Sequence, residues 1–235
     1  MRFFKKWRDQ GYHLNYGEKI IQSYAKKIHQ NIPIKIIDLG CGEGRDLRIF
    51  KEIANQSDVE LYGINFRNVD GVLISNVDLE NQLLPYEDAF FDVSICNQVF
   101  EHLKNWVWAL HEQVRVTKVG GYLIVGVPNM AAFHCRFQLL VGLQPSCVKA
   151  DDAHVRGFTM QEFKRIIQGI EGLEIRSIDG ANIYGVPPYL APVLSKLFPS
   201  LSVSIFFLIQ KTKNNVSILS ILSDKNLETN YFLGS

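Results

Sequence analysis

The segment Asp38-Leu39-Gly40-Cys41-Gly42-Glu43-Gly44 is where residue types and spacing first permit chemistry. Its alternating glycines allow a tight turn and let the backbone come close to a ligand. The run entering it, KIIDLG over 35–40, is β-branched and apolar, so the turn lies at the carboxyl end of a buried strand. A dinucleotide fingerprint needs G-x-G-x-x-G, and position 45 is Arg45. No Gly-Lys-Ser/Thr follows, which excludes a phosphate-cradling P-loop. An acid just before the turn opposes a pyrophosphate, whereas Asp38 suits a ligand bearing an amino group and a positive centre.

Titratable candidates follow further along. His102 comes just after the apolar run FDVSICN (91–97), beside Glu101, where a helix opens and an acid matches its dipole. His154 stands among Asp151, Asp152 and Arg156. An imidazole is the natural base for a hydroxyl group at neutral pH. The four cysteines, Cys41, Cys96, Cys135 and Cys147, form no C-x-x-C pair, and Cys41 and Cys96 sit in apolar runs. They predict a reduced, intracellular protein with no metal site and no disulfide frame.

These residues need elements to hold them. Ile20, Ile21, Tyr24 and Ile28 recur at helical spacing within 1–31, and Pro33 ends that helix. Further helices are predicted over 45–54 and over 101–117, the latter stopping at Gly120-Gly121. The capping box Thr159-Met160-Gln161-Glu162 opens another through about Ile170. Strands are predicted at 35–40, 59–65, 71–78, 91–97, 122–129, 173–179 and 203–211. Alternation of apolar strands with helices predicts an α/β fold, seven-stranded and mostly parallel, with helices on both faces and an antiparallel edge. The expected division is a helical segment 1–31, a domain 32–213 with cap insertions 129–158 and 180–200, and a tail 214–235.

Composition bounds the partners. Hydrophobic residues at 47% and charged residues at 21% exclude a wholly disordered chain. Lys+Arg 25 against Asp+Glu 24 leaves no basic surplus, so no nucleic-acid partner is expected. The opening MRFFKKWRDQ lacks the apolar core of a secretory signal. Leu201–Ile209 carries two serines and falls short of the ~18 residues of a spanning helix. No integral membrane segment and a cytoplasmic location are expected.

The motifs together resemble one family. IIDLGCGEG looks like the first motif of class I S-adenosylmethionine-dependent methyltransferases, in the small-molecule, methyltransferase type 11-like branch. NVDLENQLLPYEDAFFDVSICNQVFEHL (76–103), GGYLIVGVPN (120–129) and HVRGFTMQEFKRII (154–167) resemble its later motifs in order, across roughly 30–211. PNMAAFHCRFQLLVGLQP (128–145) looks like a passage of methionine-biosynthesis-, saccharide- and lipid-associated members. The resemblance implies a Rossmann-like fold and S-adenosyl-L-methionine as cofactor. It implies that Gly40, Cys41 and Gly42 line the methionine moiety, with Asp38 on its amino group. Asp78 and Leu79 would meet the adenine, and Asn97 and Gln98 would close the site near the sulfonium.

Two positions depart from the family pattern. Asn65 stands where the family places an acid on the ribose hydroxyls, and an acid there would strengthen that contact. Only 13 residues separate Asn65 from Asp78, too few for a helical crossover and a strand. The implied function is methyl transfer, as O-methylation, to a small-molecule, saccharide or lipid-linked acceptor, with His154 or His102 as base. Met130, Phe133, Phe137, Leu139 and Leu140 are expected to wall the acceptor pocket. The alternative is a weak or inactive partner of another biosynthetic enzyme. A nucleic-acid amino-methylating enzyme would carry Asn/Asp-Pro-Pro-Tyr where this chain has CNQVF, and glycine spacing disfavours an NAD module.

Overall fold

The computed structural model describes residues 17–28, 34–53, 59–187, 189–219 and 221. In chain order its elements are α1 (Glu18–Ile28), β1 (Ile34–Leu39), α2 (Arg45–Ile53), β2 (Val59–Ile64), β3 (Leu73–Ser75) and β4 (Phe91–Asn97). Then come α3 (Trp106–Val116), β5 (Thr117–Pro128), α4 (Phe133–Leu140), α5 (Met160–Gln168), β6 (Leu173–Ala181), α6 (Ala191–Leu197) and β7 (Ser204–Lys211).

The seven strands form one sheet in the order β3-β2-β1-β4-β5-β7-β6. β1 to β5 run parallel, and β7 is antiparallel to both β5 and β6. Apolar side chains fill both faces, as parallel sheets require. Ile21, Tyr24, Leu47 and Phe50 of α1 and α2 pack with Ile36, Ile95, Phe206 and Leu208 on one face. Val107, Leu110, Val114, Phe163 and Ile167 of α3 and α5 pack with Leu123, Val125, Phe207 and Ile209 on the other. Strand order reverses between β1 and β4, whose ends lie side by side with Asp38 opposite Ile95. Open α/β sheets bind ligands at such a switch point, beyond the carboxyl ends of the strands.

Several predicted elements come out differently. The strand expected over 71–78 is only Leu73–Ser75. The helix expected over 101–117 is broken into a single 3₁₀ turn, Phe100–His102, and α3. Leu103 between them is extended (φ −96°, ψ 129°), and α3 restarts from Asn105, whose side chain accepts from Trp108 N–H. α3 runs straight into β5 at Thr117, so Gly120-Gly121 lie inside a strand rather than ending a helix. Within 129–158, which shows no clear period, α4 forms, and α6 occupies the proline-rich stretch. Between β2 and β3 the crossover holds no helix, as the short spacing demands. Residues 1–16 and 29–31 of the predicted first helix, Pro33, Ala54 and most of 214–235 lie outside the described residues.

Candidate active site

A cleft of about 740 Å³ opens at the switch point. One wall is the turn after β1. Gly40 and Cys41 N–H both donate to Ile64 O, at 2.9 and 3.2 Å, tying the turn to the end of β2. Gly42 has φ +54°, and a Cβ there would meet nothing within 4 Å. Its free side is open cleft, where a ligand can lie against the backbone.

Asp38 lies under this turn, 4% exposed. Burial raises its pKa well above the carboxylate range, and the charge of Asp46 adds to the effect while Arg45 opposes it. Asp46, at the start of α2, accepts from Arg45 Nε and from Asn97 Nδ2, both at 2.7 Å. Asn97 reaches it only because Gly126 faces it on β5: a Cβ there would stand 2.4 Å from Asn97 Oδ1. Gln98, the next residue, carries φ +59°, uncommon for a long side chain. Its N–H donates to Gly126 O at 2.7 Å, and its Nε2 is buried without a hydrogen-bond partner. Strain of this kind persists where surrounding structure over-determines a functional conformation.

The opposite wall is Glu101, His102 and His154. Glu101 is 1% exposed, and both of its carboxylate oxygens lack hydrogen-bond partners. Burial pushes its pKa up to about 7. His102 Nδ1 is 3.2 Å from Ala153 O, and His154 Nδ1 is 2.7 Å from Cys147 O. A carbonyl accepts, so each ring donates from Nδ1. The two ring centroids are 4.7 Å apart. One ligand atom from each of the three residues lies within 4.8 Å of the others, a set that could hold a metal ion. The main-chain oxygen of Glu101 accepts from Val155 and Arg156 N–H, fastening the end of the 129–158 segment here.

Of the residues singled out by sequence, Asp38, Gly40, Cys41, Gly42, Asn97, Gln98, His102 and His154 line this one cleft. Asn65, Asp78 and Leu79 are not among its lining residues. Asn65 Nδ2 donates to Gly42 O at 2.7 Å, and its Oδ1 accepts from Phe66 N–H. Asp78 accepts from Glu80 N–H and Asn81 Nδ2, closing its own loop, and Leu79 packs on the core. Arg156 binds Lys104 O, and Asp152 accepts from Ala153 N–H. Phe133, Phe137, Leu139 and Leu140, expected in the pocket wall, are exposed instead. The wall is supplied by His134, Ser146, Cys147 and Tyr184, which sequence reasoning left aside, together with Asp46 and Glu101. An acid at the second position of the helix after a glycine turn was the available signal for Asp46; Glu101 reads as an ordinary helix-start acid.

An α/β sheet of this order with a glycine turn at its switch point defines a class I S-adenosylmethionine-dependent methyltransferase fold. The family model described as methionine biosynthesis protein MetW matches residues 24–151, and the chain belongs to that family. A relative from Mycolicibacterium smegmatis, named "Probable S-adenosylmethionine-dependent methyltransferase", is 26% identical over 117 residues, 47% of this chain and 44% of the relative. Among solved structures, the plantazolicin methyltransferase BpumL in complex with SAH is similar at TM-score 0.55 and 17% identity, over 90% of each chain. The [4+2]-cyclase SpnF is similar at TM-score 0.55 and 16% identity, over 83% of this chain and 80% of that one. The chain spans 60%, 30% and 44% of the lengths of three curated relatives it matches. Among the described residues, no helix is long and apolar enough to cross a membrane.

The Asn65 geometry reverses the expectation drawn for an acid there. Asn65→Asp removes the donor to Gly42 O and sets a carboxylate against that carbonyl. It is expected to destabilise the protein by about 1–2 kcal/mol in denaturant unfolding and to weaken cofactor binding. Tighter binding with unchanged stability would refute this role. Glu101 gives a pH prediction. Its folded pKa, about 7, exceeds the ordinary 4.5, so its contribution to stability is full at low pH and is lost as pH rises toward 7. Relative to Glu101→Gln, the wild type should lose about 2–3 kcal/mol across that window. Parallel stability–pH curves for the two proteins would show that Glu101 titrates normally.

Proposed function

We propose that this chain transfers a methyl group from S-adenosyl-L-methionine to an oxygen of a small-molecule, saccharide or lipid-linked acceptor. The observation that carries the reading is the pairing, across one cleft, of an open glycine edge beside a buried acid with the Glu101–His102–His154 group. The cofactor fits the residues present. Asp38, held protonated-prone by burial and by Asp46, gains a counter-charge from an α-amino group. Gly42 leaves the approach open, and a cleft of this volume lies within the range of small-molecule sites. When bound, S-adenosylmethionine supplies a methyl group on a sulfonium.

The chain's own work is positioning, exclusion of water and proton handling. Asp38 and the turn 40–42 fix the methionine end, while Gln98 borders the space between the two walls. Residues 129–158, taken with 180–200 as a cap on a domain spanning 32–213, cover the acceptor side with His134, Ser146, Cys147 and Tyr184. His154 and His102 present Nε2 to take the proton of a hydroxyl as its oxygen attacks, and their Nδ1–H bonds to carbonyls hold the tautomer. Exposed Phe137, Leu139, Leu140, Val141 and Leu143 beside this wall support an acceptor with an apolar portion. A second reading, a weak or non-catalytic partner of another enzyme, is favoured by one observation. Asn65 and Asp78, the expected ribose and adenine contacts, spend their side chains on the protein itself.

Calorimetry with S-adenosylmethionine, S-adenosylhomocysteine and NAD is the first test, with binding of the first two and not of NAD expected. Gly42→Val, which places a branched side chain at φ +54° in the open cleft, should reduce that affinity at least tenfold. Affinity equal to wild type would sink the cofactor assignment. Acceptors are then screened by the mass gain of one methylene unit. His154→Ala, with His102→Ala as companion, should lower turnover ~10²-fold with cofactor affinity almost unchanged. Full turnover in both variants would mean that transfer needs no protein base. Tight cofactor binding without turnover on any acceptor would favour the partner reading.

A further inference from the structure

Two thiols that the transfer does not use lie side by side near its acceptor wall. Cys135, in the first turn of α4, and Cys147, on the return of the loop that follows α4, have sulfurs 3.7 Å apart, both free. A disulfide holds its sulfurs about 2.05 Å apart, so bond formation needs an approach of under about 2 Å. The intervening chain is a loop that turns at Gly142, φ +76°, with open space around its α-carbon. Ser146 N–H donates to Gln138 Oε1 at 2.9 Å, which already holds the return of the loop against α4.

The surroundings suit thiol chemistry. His134 Nε2 lies 3.3 Å from Cys135 Sγ and 3.1 Å from Ser146 Oγ. The hydrogen bond from Cys147 draws the Cys135 thiol far below its usual range, His134 adds to this, and the same bond drives Cys147 up. The pair therefore shares one proton. Cys147 lines the cleft and is partly exposed, whereas Cys135 is fully buried behind it. Cys41 and Cys96 are the internal contrast: burial and Asp38 push Cys41 up to about 12, and burial raises Cys96. Thiols of that kind are inert.

We propose that Cys135 and Cys147 are a modification site, oxidised by a hydroperoxide to an intramolecular disulfide that resets the acceptor side of the cleft through His154. Once the shared proton has passed to Cys135, 3.7 Å away, Cys147, reached from the cleft, attacks the terminal peroxide oxygen as the thiolate. The O–O bond breaks, the alkoxide departs and takes a proton from solvent to become an alcohol, and Cys147 carries a sulfenic acid. The Cys135 sulfur then attacks that of Cys147, and hydroxide leaves as water with the remaining thiol proton. Two electrons pass from the two sulfurs to the peroxide. The link to the site is one bond: the main-chain oxygen of Cys147 accepts from His154 Nδ1–H at 2.7 Å. Drawing Cys147 toward α4 moves the group that orients that imidazole. The functional meaning of this link rests on the acceptor-side reading of His154; the thiol chemistry does not.

The test uses the full chain, reduced and then treated with a few-fold excess of tert-butyl hydroperoxide, followed by alkylation and peptide mapping. A cross-link between the Cys135 and Cys147 peptides, lost on adding dithiothreitol, is expected, with Cys41 and Cys96 alkylated only after unfolding. Free, alkylatable Cys135 and Cys147 after treatment overturn the proposal, as does a preferred cross-link through Cys41 or Cys96. In Cys135→Ser the sulfenic acid on Cys147 should persist and react with dimedone, and in Cys147→Ser oxidation should slow at least tenfold. Should either variant fail to fold, the order of thiol loss in the unmodified chain decides the same point. The His154 imidazole proton resonances should move on oxidation and return on reduction; resonances that stay in place refute the link to His154. None of these measurements needs cofactor or acceptor, so a failed methyl-transfer reading would leave them untouched.

Discussion

Buried negative charge at the carboxyl edge of the sheet is the constraint on which the rest of this site turns. Asp38 and Asp46 are each 4% exposed and Glu101 is 1% exposed, and all three border one cleft. Isolated carboxylates out of water cost several kcal/mol apiece, and such groups either neutralise or find partners. Asp46 finds Arg45 and Asn97. Asp38 and Glu101 respond instead by raised pKa values, the first through burial and Asp46, the second through burial alone. A cleft built this way has an electrostatic deficit that a cationic ligand relieves. It would receive an ammonium or sulfonium group far better than a phosphate, which is why the glycine turn cannot be read apart from the acids around it.

Much of the fold is legible because its signals are local. The β-branched run 35–40 and the strand 91–97 are apolar on both sides, as strands in the middle of a parallel sheet must be, and they appear within a residue of expectation. The errors share one cause, that tertiary hydrogen bonds override local pattern. Gly120-Gly121 look like a helix stop, yet β5 pairs through this region with β4, Phe91 opposite Thr117 and Val93 opposite Tyr122. The helix expected from 101 breaks at Leu103 because Asn105 is held by Glu80, whose carboxylate accepts the Asn105 N–H at 3.0 Å. No periodicity within 101–117 reports a partner 25 residues upstream.

The site divides in the same way. Asp38, the turn 40–42 and the 97–98 strand end are contiguous with recognisable strands, so motif and topology together bring them into the cleft. Asp46 and Glu101 are acids at helix starts, where the dipole explanation is adequate until burial is known. His134 and Tyr184 come from two separate segments, and only the fold sets their rings 4.9 Å apart. Asn65 is the instructive case. Its position after β2 is as expected, but its amide is satisfied by Gly42 O and Phe66 N–H. Sequence places a residue; it does not say which of its neighbours uses it.

The segment 129–158 joins these strands of argument. It leaves the sheet at Asn129, whose side chain donates to Ser200 O and Ser202 O, and it returns through hydrogen bonds from Val155 and Arg156 to the Glu101 carbonyl. Its exit is thus fastened to the chain just ahead of β7, and its return to the residue with the unpartnered buried carboxylate. Between those anchors the polar contents, His134, Ser146, Cys147 and His154, face the cleft while the long apolar side chains of α4 face outward. That is the reverse of the arrangement a free-standing cap would adopt to bury its apolar surface. The inversion is held by hydrogen bonds at both ends, from the Asn129 side chain at one and from the Val155 and Arg156 N–H groups at the other. The same fold scaffolds a methyltransferase and a [4+2]-cyclase among solved structures. A sheet shared by such different reactions does not itself set reaction or acceptor; in folds of this kind those are set by the segments grafted onto it.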